Sequence, residues 1–230
     1  MKLLWLSLLA VSSLASARGY EMKSYLNLNG LRPAAFWCDA PGRVLAVTQP
    51  ETMADTAQPV KLVQWTGSQA SVQNYQLGPA EAGAGNVYTA LTPADQQVSQ
   101  SPKYYVHSSN VENVNDPAYR MTNVSEFKLP AGNFKCLYKP NAAFIGATAR
   151  HSITVWEYQG KVTYSSSNRT GQGGVYLTGG KHTGDEYRWT KNGYTYALNL
   201  GDPGASLSVL RGGKLLSQEA FEAYSVSVRK

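Results

Sequence analysis

The sequence predicts an all-β protein, built from antiparallel meander units of barrel or sandwich type, and three observations carry that prediction. Runs rich in Val, Ile, Thr, Tyr and Trp recur at roughly ten-residue spacing, broken by Gly, Asn and Pro. The only helix-friendly stretches, Glu51 to Thr56 and Pro93 to Gln97, are short, lie beside prolines and lack a continued apolar face. The residues between successive runs are those that tight hairpins demand.

The C-terminal hairpins are the most legible. In Arg188-Trp189-Thr190-Lys191-Asn192-Gly193-Tyr194-Thr195-Tyr196, the Asn-Gly pair supplies the two positive-φ residues of a type I′ turn. That register sets Trp189 opposite Tyr196 and Tyr187 opposite Leu198 on one face, with Arg188, Thr190, Thr195 and Asn199 on the other. Gly212-Gly213 predicts a hairpin between Leu207-Leu210 and Lys214-Ser217, and Gln159-Gly160 predicts one between Ile153-Tyr158 and Lys161-Ser166. The last run alternates, with Tyr224, Val226 and Val228 expected inward and Ser225 and Ser227 outward.

Earlier in the chain, Ala34-Cys38, Val44-Thr48, Val60-Trp65, Val72-Leu77, Val87-Leu91 and Tyr104-His107 read as strands. The segments Gly78-Asn86 and Ser108-Pro117 read as longer loops. The two halves share features in the same order. Pro33 to Cys38 is similar to Pro130 to Cys136, Leu62-Val63-Gln64-Trp65 to Ile153-Thr154-Val155-Trp156, and Gly83 to Tyr88 to Gly171 to Tyr176. Fixed-order self-similarity of this kind suggests a duplicated β unit. The expected organisation is a signal peptide over 1–17, an N-terminal β unit over 18–130 and a C-terminal meander unit over 131–230.

The first residues carry the marks of export. Lys2 supplies a positive n-region, Leu3 to Leu14 a short apolar stretch, and Ala15-Ser16-Ala17 a small-x-small site, so cleavage is expected after Ala17. The apolar stretch is shorter than the roughly 20 residues a spanning helix needs, and no later segment approaches that length. A secreted or periplasmic location follows as the expectation. Removing Lys2 leaves 20 basic residues against 15 acidic ones, a net charge of +5. These basic residues are scattered and form no run, which argues against nucleic acid as a partner. The partners such a surface suggests are an anionic envelope polymer or another exported protein. The chain has two cysteines, Cys38 and Cys136, so one intrachain disulfide is expected in an oxidising compartment.

Catalytic signatures are scarce. The histidines are His107, His151 and His182, and none stands in a zinc-binding spacing. There is no Gly-x-Ser-x-Gly elbow, although a triad can assemble from residues scattered in sequence. Asp39, Glu126, Glu157, Asp185 and Glu186 are candidate carboxylates, and nothing in the sequence selects a pair among them. Asn110 to Asp116 is rich in oxygen ligands but matches no calcium-loop spacing, so an Asx-turn loop is expected. Gly83-Ala84-Gly85 and Gly171 to Gly174 precede strands rather than helices, which excludes phosphate loops and any cofactor they would cradle. The aromatics invite a carbohydrate-binding reading. Trp65, Trp156, Trp189, Tyr194 and Tyr196 are expected in cores, and Tyr104, Tyr105, Tyr158 and Tyr164 are the candidates for exposure.

Export, the Phe134-Lys135-Cys136 segment and a Tyr/Gly-rich meander such as Tyr194-Thr195-Tyr196 resemble the small bacterial periplasmic inhibitors of c-type lysozyme. The resemblance covers less than half of the chain. It implies a single-disulfide, eight-stranded antiparallel barrel for the C-terminal half, and inhibition of an extracellular hydrolase as one function. The net basic charge opposes that function, since c-type lysozymes are themselves strongly basic. The leading expectation is therefore a non-enzymatic, exported binding or structural protein of a bacterial envelope. A hydrolase inhibitor, or a hydrolase whose site assembles only in three dimensions, are the alternatives.

Overall fold

A computed structural model describes residues 20–52, 56–99, 101–109 and 122–229. The signal segment and the oxygen-rich loop at Asn110 to Asp116 lie outside the described residues. Those described form seventeen strands and no helix, hydrogen-bonded into one antiparallel sheet. In chain order the first nine are β1 (Tyr20–Asn27), β2 (Leu31–Ala40), β3 (Arg43–Thr48), β4 (Gln58–Thr66), β5 (Gln69–Gly83), β6 (Asn86–Pro93), β7 (Tyr105–Ser109), β8 (Val124–Leu129) and β9 (Gly132–Lys135). The remaining eight are β10 (Phe144–Thr148), β11 (His151–Tyr158), β12 (Lys161–Asn168), β13 (Gly174–Thr183), β14 (Glu186–Lys191), β15 (Tyr194–Asn199), β16 (Ser206–Arg211) and β17 (Lys214–Arg229).

Strands β10 to β17 form an eight-stranded antiparallel barrel. Each pairs with the next, and β17 closes the ring by pairing β16 through its first half and β10 through its second. The predicted Asn192-Gly193 hairpin has the expected register, with Trp189 opposite Tyr196 and Tyr187 opposite Leu198. Every strand sends apolar side chains into one interior cluster, among them Phe144, Val155, Tyr164, Leu177, Trp189, Leu198, Leu207 and Phe221. Two glycines make that packing possible. A Cβ on Gly146 would lie 2.5 Å from the Phe221 ring, and one on Gly180 would overlap the Trp189 indole.

Strands β2 to β9, the first meander in chain order, form consecutive hairpins curled around Leu45, Val47, Leu62, Tyr75, Leu91, Val106 and Phe127. The Cys38–Cys136 disulfide joins the first strand of this meander to the residue after its last. Beside it, Leu137 N–H donates to the Asp39 carbonyl at 2.8 Å. The sequence places a loop from Gly78, but β5 runs on to Gly83. It does so through a bulge between Leu77 and Ala80, which accommodates Gly78 at φ +97° and Pro79, a residue with no N–H to give the ladder.

The two meanders meet back to back. Strand β1 pairs with β17 along most of its length and with β2 at its end. Between them a third cluster gathers Leu26, Ala34, Trp37, Ala46, Val63, Trp65, Ala147 and Ala223, with small residues where the sheets approach. This packing overturns the outward placement of Ser225, which is 2 % exposed. Trp37 Nε1 donates to Ser225 Oγ at 2.7 Å, and Ser24 Oγ lies 2.7 Å from the same oxygen. The second half of β17 is buried on both faces, so its polar residues are partnered rather than solvated. The matched segments of the two halves fall on alternate strands in the same order: β2, β4 and the turn into β6, then β9, β11 and the turn into β13.

Candidate functional site

A cleft of about 670 Å³ opens at one rim of the first meander. Phe36 and Leu77 bring the apolar core to its floor, Pro50 and Pro79 form apolar walls, and Gln49, Thr52, Gln58 and Thr89 supply polar groups. Among the described residues, no charged side chain lines it. Two bulges shape the rim. On β2, Ala34 pairs Thr48 and Phe36 pairs Val47, so Ala35 is an extra residue facing the cleft, and the β5 bulge at Gly78-Pro79 lies across from it. Gln58 is held in place: Thr52 Oγ1 donates to its Oε1 at 2.8 Å, and its Nε2 donates to the Thr56 carbonyl at 3.2 Å. A concave cleft with an apolar floor and a few positioned polar groups is a common form of small-ligand site.

A second polar group occupies the seam between the meanders. Arg169, just after β12, has a side chain only 7 % exposed and reaches both Asp39 on β2 and Glu222 on β17, each at 3.4 Å. Both carboxylate side chains are 9 % exposed. Glu222 is brought there by a bulge, because Ala147 pairs Ala223 while Thr148 pairs Phe221, leaving Glu222 as the extra residue. Among the described residues, Arg169 Nε and Nη2 and Glu222 Oε1 make no hydrogen bond. Burial pushes Glu222 up to about 7, with Arg169 pulling it down and Asp39 pushing it further up. Burial also raises Asp39, against the pull of a Ser152 hydrogen bond and Arg169. Asp39 and Glu222 are the one carboxylate pair sharing a cation among the described residues, and sequence order does not show it.

Beside this seam, Glu219 is the hub of a smaller cluster. Thr148 Oγ1 donates to it at 2.6 Å, His151 Nδ1 at 3.0 Å and Arg150 Nη2 at 2.6 Å. Burial raises the Glu219 carboxyl, but these three hydrogen bonds outweigh it and hold it below its ordinary range. The hydroxyl and the imidazole both give their hydrogens to the carboxylate, so His151 does not stand between a nucleophile and an acid, as a triad requires.

The other histidines are also partnered. His182 Nδ1 donates to Glu157 Oε2 at 2.9 Å, and its ring stacks on Tyr187 at 3.8 Å. His107 lies 2.8 Å from Asn86 Oδ1 through Nε2 and 2.8 Å from Ser125 Oγ through Nδ1. Glu126 faces Tyr105 at 3.5 Å, and Glu186 chelates Arg188 at 2.8 and 2.9 Å. Asp185 contributes its backbone carbonyl, which accepts from Leu200 N–H at 2.8 Å.

The aromatics sort differently from the sequence expectation. Trp65 is buried, whereas Trp156 is half-exposed and donates to the Pro140 carbonyl at 3.0 Å. Tyr164 lies inside the barrel against Trp189, and burial pushes its hydroxyl up to about 12. Tyr158 is exposed as expected, joined by Tyr176 and Tyr88. Sequence reasoning missed Asn86, Ser125, Arg169, Glu219 and Glu222; the four on strands are placed by cross-strand register or bulges, and Arg169 by the turn after β12, rather than by local spacing.

No protein-family model matches this chain, and neither a curated protein nor a solved structure matches it.

Proposed function

We propose that this chain is an exported binding protein of a bacterial envelope, with the mouth of the first meander as its ligand site. The observation that carries the reading is the cleft of about 670 Å³, with an apolar floor at Phe36 and Leu77 and a lining that is uncharged among the described residues. Such a lining favours a neutral, hydroxyl- or amide-bearing molecule over an anionic polymer, because the described lining residues offer no cation while Gln and Thr groups both donate and accept. A neutral saccharide has that character, with apolar ring faces for Phe36 and the prolines and hydroxyls for Gln49, Gln58 and Thr89. The disulfide and the Ala15-Ser16-Ala17 site support the exported setting.

Two measurements test this reading. Expressed as the full chain in a bacterium, the protein is expected in the periplasmic fraction with Arg18 as its first residue; a cytoplasmic product retaining Met1 contradicts export. In calorimetry with N,N′-diacetylchitobiose and maltose as neutral probes, at least one is expected to bind. Phe36→Ala or Gln58→Leu then weakens it by about tenfold, the size of one lost net contact. Binding that is unchanged in both variants, or confined to anionic saccharides, overturns the assignment of the cleft.

A further inference from the structure

Asn86, His107 and Ser125 lie on three adjacent strands, β6, β7 and β8, and the geometry points to a serine-centred acyl-transfer site there, independent of the binding cleft. The order of contacts carries the argument. Ser125 Oγ lies 2.8 Å from His107 Nδ1, and Asn86 Oδ1 lies 2.8 Å from His107 Nε2. With the Asn86 oxygen assigned to this contact, Nε2 carries the ring hydrogen and Nδ1 presents a lone pair to the serine hydroxyl. A nucleophile, a base within hydrogen-bond reach and a third group orienting the base form the constellation of nucleophilic catalysis.

Two features set this group apart from an ordinary polar ladder. Ser125 is the extra residue of a bulge, since His107 pairs Glu126 while Ser108 pairs Val124. In a regular strand, Ser125 and Glu126 would point to opposite faces, and the bulge brings the serine hydroxyl round to the imidazole. The imidazole is also fixed in advance. Tyr88 stacks on it with ring centres 4.4 Å apart and planes 5° from parallel, and Tyr105 meets Tyr88 edge-on at 5.1 Å. The Ser125 hydroxyl also lies 3.1 Å from the His107 carbonyl oxygen, so turning its hydrogen from that oxygen to Nδ1 takes rotation about one bond. Tyr88 is exposed, and His107 and Ser125 are half-exposed on the outer face of the sheet. An open centre of this kind fits a carboxylic ester displayed on a larger molecule.

In the reaction, Ser125 Oγ adds to the ester carbonyl carbon while its proton passes to His107 Nδ1. The bond from that carbon to the alcohol oxygen breaks, and the departing oxygen takes the proton from Nδ1, leaving acyl-Ser125. Water then adds to the acyl carbon with Nδ1 taking its proton, and the carboxylic acid leaves as the proton returns to Ser125. Asn86 is a positioning residue, which keeps its hydrogen bond to Nε2–H while the imidazole is doubly protonated.

The test incubates the purified chain with p-nitrophenyl acetate, follows p-nitrophenol release and locates acetyl groups by peptide mass spectrometry. The expected result is acetyl-Ser125 with turnover, lost in Ser125→Ala and lowered about 100-fold in His107→Gln, the usual worth of general-base catalysis. Asn86→Ala is expected to lower kcat more than it changes KM, and Asn86→Asp to restore it. Acetylation confined to lysines and tyrosines on the unmutated chain overturns the proposal, and that reading needs no variant to fold. Turnover unchanged in a folded Ser125→Ala protein overturns it equally.

Discussion

Arg169→Met is expected to lower the unfolding free energy by about 3–5 kcal/mol near pH 8, read from urea denaturation. The loss comes less from the ion pairs themselves, which are long at 3.4 Å, than from what the substitution strands. Asp39 and Glu222 are both nearly buried and would face one another with no cation between them. The damage should shrink as pH falls through about 7, where Glu222 takes up a proton, and burial raises Asp39 in the same direction. The unmutated protein has a related signature. Burial raises Glu222 from 4.5 to about 7. Between those values the folded protein holds a proton that the unfolded chain releases, so stability falls as pH rises through this window and levels off above it. The full difference is about 3 kcal/mol by linkage, and Asp39 acts in the same direction. Glu222→Gln, which keeps the shape of the protonated acid, is expected to flatten that slope. A slope that persists in Glu222→Gln would place its origin elsewhere.

Replacing Cys38 and Cys136 together with serine is expected to cost about 4 kcal/mol, because the bridge closes a chain segment with a sequence separation of 98. The same loss should appear in the unmutated protein under a reductant strong enough to open a bridge whose Cys38 is 1 % exposed. The effect is specific to the first meander. The C-terminal barrel closes by a hydrogen-bonded ladder between β10 and β17, whereas β2 is tied to the end of β9 by the disulfide and the Leu137–Asp39 backbone bond. Hydrogen exchange in the reduced protein should therefore quicken in β2, β8 and β9 while β11 to β15 stay protected. Uniform loss of protection would contradict this division of labour.

The parts of the fold legible in the sequence are those governed by local chemistry. Asn192-Gly193, Gly212-Gly213 and Gln159-Gly160 each set a hairpin, because turn type fixes register over the neighbouring residues. The barrel expected from the likeness to lysozyme inhibitors is present in β10 to β17. The disulfide needed only the count of cysteines. What local pattern could not show is which strand faces get a second layer. Alternation at Tyr224 to Val228 reads as one buried face, yet the packing of Trp37 and Leu26 against β17 buries Ser225 as well. The candidate sites were hidden for a related reason. Ala35, Ser125 and Glu222 each owe their position to an extra residue in a ladder, and the extra residue is defined only by its partner strand. Asn86, His107 and Ser125 are likewise neighbours only through the pairing of three strands.

The most direct test of the binding assignment is a map of where a neutral saccharide touches the protein. Backbone amide shifts of the ¹⁵N-labelled chain, titrated with whichever neutral probe binds by calorimetry, are expected to move at Phe36, Gln49, Gln58, Leu77 and Thr89 and to saturate together. Shifts that instead cluster around Tyr158 and Tyr176 on the outer face of the C-terminal barrel, or an absence of saturable shifts for every probe, would contradict a ligand site in the mouth of the first meander.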